Sequence, residues 1–267
     1  MITFLELEKL GRLGNQLWQI ASTIGIAKYN SAEYAFPEWS YQKYFENPLP
    51  VLPYKMGAEK FETQLEKHHH FCEYPLDPMF NYSLHGFFQS DKYFDKHREL
   101  VLNYFKFKNE ITDKVYRRIS DATKGDIELN VVAIHVRRKD YVTQKQNFEY
   151  LGIEYYGKAI SHFREKYNSK VLFIVCSDDT NSISADFGAW FHSSDFYYSK
   201  DFNEVEDLCL LSMCDDIICA NSSFSSWAAI LGDNPNKQII QPKKWFGTHL
   251  AKTHKTNDMY FEKSILI

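Results

Sequence analysis

No stretch of the 267-residue chain approaches the about 18 consecutive apolar residues that a membrane-spanning helix needs. Its opening residues, MITFLELEKL, contain no cationic region leading into an apolar one, so a secretory leader is not expected. The protein is expected to be cytoplasmic, with any membrane contact peripheral, at the inner face of the cytoplasmic membrane. Positive charge is not in excess either: 31 Lys and Arg stand against 35 Asp and Glu, for a net charge of −4. That excludes the concentrated basic face of a general nucleic-acid-binding protein, though not a local basic pocket. Eight prolines and eleven glycines are too few for a disordered chain. The five cysteines (Cys72, Cys176, Cys209, Cys214, Cys219) are odd in number and form no CxxC pair. They read as small buried hydrophobes in a reducing compartment, with no cysteine zinc site. His68, His69 and His70 are consecutive, a spacing that does not converge side chains on a metal.

What is present is α/β patterning. Residues 2–8 read as a strand, followed by the turn Gly11-Arg12-Leu13-Gly14-Asn15-Gln16 and a helix-period run, LWQIASTIGIAKYN. Strand, glycine-rich turn and helix open a nucleotide-type unit, yet neither GxGxxG nor a Walker lysine is there. Residues 34–88 are irregular and rich in aromatics and proline, with short strands expected at 61–64 and 84–88. Ser90 is expected to cap a helix through Phe105, and a second helix covers 110–123. Gly125 and Asp126 mark a turn, dividing the chain into domains 1–125 and 126–267. Beyond it, strands at 131–137, 171–176, 195–198, 216–220 and 238–241 alternate with helices at 153–167, after 179, at 203–214 and at 224–231. This alternation predicts a parallel sheet.

Three of these strands end in polar clusters: His135 to Asp140, Ser177 to Asp179, and Asn221 to Ser225. In a parallel sheet all three share the carboxyl edge, where ligands of open α/β sheets collect. Neighbouring Arg137 and Arg138 point to opposite faces while the strand persists, so one of them suffices for the ligand. Arginine grips a diphosphate through permanent charge and paired N–H donors. The backbone N–H groups at Ser222, Ser223 and Phe224 would meet phosphate oxygens at a helix start. Asp178 is a candidate for reading a purine edge or a ribose. Plain helix capping by Ser222 and by Asp178 or Asp179, a surface ion pair between Arg138 and Asp140, and a metal-binding Asp178-Asp179 pair are the competing readings.

These motifs resemble the inverting α-1,2-fucosyltransferases of glycosyltransferase family 11, and more distantly the α-1,6 and protein O-fucosyltransferases. GRLGNQLWQIAS is similar to the family's G-x-LGNQ-hydrophobic-Q start, and HVRRKDY to its H-x-RR-x-DY signature, with Lys139 where glycine is common. FIVCSDD and DLCLLSMCDDIICANSSFSSWAAIL resemble its later blocks, Ser226 and Ala228 being departures. The resemblance implies a GT-B-like α/β fold, two facing Rossmann-like domains with parallel sheets, the N-terminal one on the acceptor side and the C-terminal one binding GDP-L-fucose. It implies no cofactor and no essential metal. It places Arg137 on the donor β-phosphate, His135 near the guanine and ribose, Arg138 and Asp178 in the donor site, Ser222 and Ser223 in the phosphate clamp, and Asn15 and Gln16 in a loop facing the donor.

Transfer of fucose with inversion then requires Arg137 and the serine amides to stabilise the leaving diphosphate. Asp140 is the candidate general base for the acceptor hydroxyl, with Glu149 and Glu154 behind it, unless it orients Arg138 instead or the reaction needs no base. The expected partners are GDP-L-fucose and a β-galactoside acceptor on a surface glycan such as an O-antigen, with no nucleic acid. The alternatives are another linkage (α-1,6 or α-1,3) or a catalytically silent nucleotide-sugar binding protein.

Overall fold

The computed structural model describes residues 1–53, 55–188 and 194–267, in two compact units. The first comprises Met1–Lys108 and His254–Met259, the second Asn109–Thr253 and Tyr260–Ile267.

In the first unit, β1 (Ile2–Thr3), β2 (Glu62–Leu65) and β3 (Tyr82–His85) form a parallel sheet in the order β1-β3-β2. The first strand is shorter than expected. The Thr3 hydroxyl donates to the Ala35 carbonyl at 2.6 Å, the chain then turns with Leu7 N–H on Phe4 O, and Glu8 takes a positive φ. This turn buries both Phe4 and Leu7, which an extended strand would have sent to different faces. Helix α1 (Leu13–Tyr29) follows as predicted. Its Gly25 lies against the Tyr93 carbonyl so closely that an added Cβ would stand 2.0 Å from that oxygen.

The segment after Ser90 departs from the continuous helix expected. It breaks into single turns at Asp91–Tyr93 and Asp95–His97 before a short α2 (Arg98–Tyr104). Ser90 is buried and makes no side-chain cap, because the segment follows the surface of α1 and buries both Tyr93 and Phe94. The return segment 254–259 is held within this unit by Asp258, which accepts the Phe71 N–H at 2.6 Å and pairs with Lys92.

The second unit begins with α3 (Asn109–Thr123), so the boundary lies at 108/109 and not at 125/126. The cause is a sidedness the turn at Gly125 does not reveal. Lys114 reaches Glu206 at 2.6 Å, and Arg118 bonds the Tyr197 hydroxyl at 2.9 Å while lying 4.6 Å over the Phe202 ring. Then come β4 (Asn130–Val136), α4 (Lys139–Thr143), α5 (Ile153–Lys166), β5 (Val171–Ser177), α6 (Thr180–Phe187), β6 (Phe196–Tyr198), α7 (Glu204–Met213), β7 (Asp216–Ile218), α8 (Ser223–Leu231), β8 (Ile239–Gln241) and β9 (Ile265–Leu266). α7 starts on a capping box built by Asn203 and Glu206. α4 and β9, each only a few residues long, were not anticipated from the sequence.

All six strands are parallel, in the order β6-β5-β4-β7-β8-β9. Counted within the unit this is 3-2-1-4-5-6, the doubly wound order, whose switch point lies between β4 and β7. Val132, Ile134 and Val136 on one face of β4 pack with Tyr156, Ile160 and Phe163 of α5 in the core. Strand alternation therefore sends His135 to the other face, where its ring lies 5.2 Å from that of Phe224 on α8. The fold is the expected α/β, GT-B-like class of Rossmann-like units with parallel sheets.

Candidate functional site

At the carboxyl end of β4, beside the switch point, the two arginines part company. Arg138 turns to the α5 side and is fully buried. Its guanidinium lies 4.8, 4.9 and 6.0 Å from the ring centres of Tyr150, Phe187 and Tyr156. It also donates to the carbonyls of Arg137 at 3.0 Å and Leu151 at 3.2 Å. A cation so enclosed ties strand end to following loop; it does not present itself to a ligand. Arg138 therefore supports the site from beneath and does not pair with Asp140.

Arg137 takes the opposite face, as alternation predicts. Its guanidinium pairs with Asp178 at 2.8 Å, with Asp140, and lies 5.5 Å over the Tyr141 ring. Asp178 is spent on the same arrangement: one carboxylate oxygen meets Arg137 and the other accepts the Arg138 N–H at 2.8 Å. That differs from the base-reading role expected of it. Asp179 caps α6 by accepting the Ser182 N–H at 3.2 Å. The two adjacent carboxylates thus serve an arginine clamp and a helix start. Asp140 is half-exposed on α4 and is the ion-pair partner of Arg137, the orienting role. Glu149 faces Lys244 at 3.9 Å, and Glu154 pairs with Lys158 on the exposed start of α5.

Tyr141 joins the two sides of the switch point. Its hydroxyl donates to the Asn221 carbonyl at 2.7 Å, and its ring stacks on Phe148 at 4.4 Å. Asn221 in turn donates to the carbonyls of Glu149 and Trp245 at 2.9 and 2.7 Å. It immediately precedes Ser222, the N-cap of α8, whose hydroxyl accepts the Phe224 N–H at 3.4 Å. Ser222 is thus a cap, as the plainer reading has it, and Ser223 opens the helix. The result is a guanidinium that is held by two carboxylates and linked through Tyr141 to Asn221, the residue before the α8 N-cap. Tyr141 was not singled out beforehand; its place in the HVRRKDY stretch was the available signal.

His135 is buried on the α8 side, and burial pushes its imidazole down to about 4. Partly buried His69 is shifted the same way, to about 4, by burial and by the neighbouring His254. A neutral buried histidine disfavours folding once the unfolded chain takes up the proton that the fold refuses. Stability is thus expected to fall as pH drops from about 6.5 towards 4, by at most about 1.4 kcal/mol per pH unit for each group. Urea midpoints at pH 7 and pH 5 check this, and His135→Gln should flatten the dependence.

In the first unit, the expected donor-facing pair is split. Gln16 is buried, donating to the Gly11 carbonyl at 3.2 Å and accepting from the Trp39 indole at 2.8 Å, so it shapes the turn from inside. Asn15 accepts from Gln89 at 2.8 Å and stands partly exposed at the same turn. Gln19, overlooked in the sequence, bridges the Leu10 and Gly86 carbonyls at 3.0 and 3.2 Å and so ties this turn to the end of β3.

Residues 4–262 match glycosyl transferase family 11. An O-antigen biosynthesis glycosyltransferase, WbnK, from Escherichia coli is 29% identical over 62% of the chain and 55% of its own length. An alpha-1,2-colitosyltransferase from Escherichia coli is 32% identical over 60% of the chain and 55% of its length. The galactoside alpha-(1,2)-fucosyltransferase 1 of Leontopithecus chrysomelas is 27% identical over 83% of the chain and 63% of its length. The chain thus spans little more than half to under two thirds of these relatives. Among solved structures, POFUT1 in complex with GDP-fucose shares the fold with a TM-score of 0.60 at 13% identity, covering 90% of this chain and 97% of that one.

Proposed function

The chain belongs to glycosyl transferase family 11, and on that premise we propose that it transfers L-fucose from GDP-L-fucose to the 2-hydroxyl of a terminal β-galactoside on a surface glycan such as an O-antigen, with inversion and without a metal. The observation that carries this reading is the Arg137 guanidinium, held by Asp178 and Asp140 and linked through Tyr141 to the residue before the α8 N-cap. As the bond from the sugar to the β-phosphate breaks, negative charge builds on the diphosphate. A guanidinium already fixed in place stabilises that charge with little reorganisation, and the α8 N-terminus adds its dipole. His135, neutral and buried near the same edge, lies on the guanosine side in this reading. Asp140, tied to Arg137, orients it. The acceptor hydroxyl attacks the anomeric carbon from the face opposite the departing GDP.

The likeness to an alpha-1,2-colitosyltransferase favours a second reading, in which the same site transfers colitose from a nucleotide-linked donor. Nucleotide release is measured from each donor, with and without lactose, in EDTA, and the product linkage is read by NMR. The expected result is release from GDP-L-fucose that lactose stimulates, that survives EDTA, and that yields an α-1,2-linked fucoside. Tight GDP-L-fucose binding with no release under any condition would make the protein a silent nucleotide-sugar binder. Activity lost in EDTA and restored by manganese would overturn the metal-free mechanism.

A further inference from the structure

Asn221 lies between β7 and the cap of α8, inside the second unit, and is 1% exposed. Its side-chain nitrogen donates to two carbonyls, those of Glu149 at 2.9 Å and Trp245 at 2.7 Å. These belong to the two sides of a short antiparallel ladder. Phe148 pairs with Phe246 across it, and the Glu149 N–H reaches the Trp245 carbonyl at 3.4 Å. The Gly247 N–H meets the Asn147 carbonyl at 2.8 Å, and the His249 N–H meets that of Gln146 at 2.9 Å. The two sides run so close that a Cβ at Gly247 would stand 2.5 Å from the Lys145 carbonyl oxygen. The Asn221 amide therefore closes one end of this ladder and ties it to the start of α8.

The ladder carries Phe148, whose ring stacks on Tyr141, while the Tyr141 hydroxyl returns to the Asn221 carbonyl at 2.7 Å. Asn221 thus fixes Tyr141 twice, through the ring by way of the ladder and through the hydroxyl directly. The same ring lies 5.5 Å from the Arg137 guanidinium. For stability alone the arrangement is not the best one. The Asn221 Oδ1 atom is buried and meets no donor among the described residues, and an unmatched buried acceptor costs stability. Such departures are expected where function sets the geometry.

We propose that Asn221 is a positioning residue for the transfer, setting Arg137 through Tyr141, a role that rests on the fucosyltransferase reading above. Asp178 and Asp140 take the two terminal nitrogens of the guanidinium, and the Tyr141 ring sets the surface on which it lies. With that surface fixed, the guanidinium meets the charge that builds on the leaving diphosphate without first reorienting. Asn221 touches neither donor nor acceptor in this role.

The test uses the full chain with GDP-L-fucose and lactose. Asn221→Ala is expected to lower kcat by about 10²-fold, the scale of a misplacement transmitted from outside the reacting atoms. KM for GDP-L-fucose and the calorimetric affinity for GDP stay in place. Asn221→Asp keeps the shape but loses the N–H donors, and falls with alanine. Tyr141→Phe keeps the ring, loses the hydroxyl and gives a smaller loss. In an Arg137→Ala background Asn221→Ala lowers kcat no further, because the group that it positions is gone. Losses that multiply in the double variant would make Asn221 merely structural and overturn the proposal, as would a fall in GDP affinity, which marks direct contact with the donor. An unchanged kcat in Asn221→Ala, with active wild type, overturns this proposal alone. If Asn221→Ala does not fold, Tyr141→Phe, alone and with Arg137→Ala, decides by the same criterion. Wild-type protein inert toward GDP-L-fucose would bring down the fucosyltransferase reading and this proposal with it.

Discussion

Arg137→Ala is expected to reduce kcat for GDP release from GDP-L-fucose by about 10³-fold, the upper range for removing one preorganised donor from a developing oxyanion. The argument rests on how much of the neighbourhood is devoted to that one guanidinium. Asp178 and Asp140 pair with it, and the Tyr141 ring lies beneath it. Arg137→Lys should recover little of the loss. A lysine ammonium is a compact, strongly hydrated point charge and lacks the planar fork that meets two carboxylates and an aromatic face at once. Steady-state release assays on the wild type and both variants, with GDP affinity measured separately, would check this. A loss confined to KM would show that Arg137 binds the donor equally well before and during the reaction, and that it is not specific to the transition state.

Asp178→Ala should be the most destabilising single change in the second unit among those considered, costing about 3 kcal/mol, the lower end of the range for removing one partner of a buried ion pair, because these two side chains keep 14% and 12% of their exposure. Asp178 serves Arg137 through one oxygen and the Arg138 N–H through the other. Its removal leaves Arg137 without a buried anion and the Arg138 N–H without its acceptor. Urea unfolding followed by circular dichroism reads the loss. Asp178→Asn retains an acceptor for the N–H and is expected to fall between wild type and alanine. Wild-type stability for Asp178→Ala would show that the Tyr141 and Asp140 contacts suffice to hold Arg137.

Much of the second unit was legible because its strands and helices are long enough to show their periods. A continuous apolar run such as VVAIHV can be buried on both faces only in a covered sheet, and α5 and α8 are there to cover it. The shared carboxyl edge of the three polar clusters followed from parallel pairing alone. What the sequence left hidden were choices between partners. SDD reads the same whether its first aspartate faces a ligand or two arginine residues forty positions away. The pair of His85 and Glu6 joins two strand ends far apart in sequence, with nothing local to announce it. Gln16 sits in a motif that suggests ligand contact, but its amide is used between Gly11 and Trp39. The helix foreseen after Ser90 failed for a related reason: its residues have good helical spacing, but packing on α1 decided their conformation.

The return of residues 254–259 to the first unit makes that unit discontinuous along the chain, and this bears on how the protein is made. The ribosome delivers a chain from its N-terminus, and domains usually close in that order as they emerge. Here the partners of Asp258, namely the Phe71 N–H and Lys92, are synthesised long before Asp258 itself. The first unit must therefore wait, lacking one of its own segments, until residues 254–259 have been translated. The second unit waits likewise for β9, which comes after the returning segment. Completion of both units thus converges on residues 254–266, and a chain cut short before residue 254 leaves each of them unfinished.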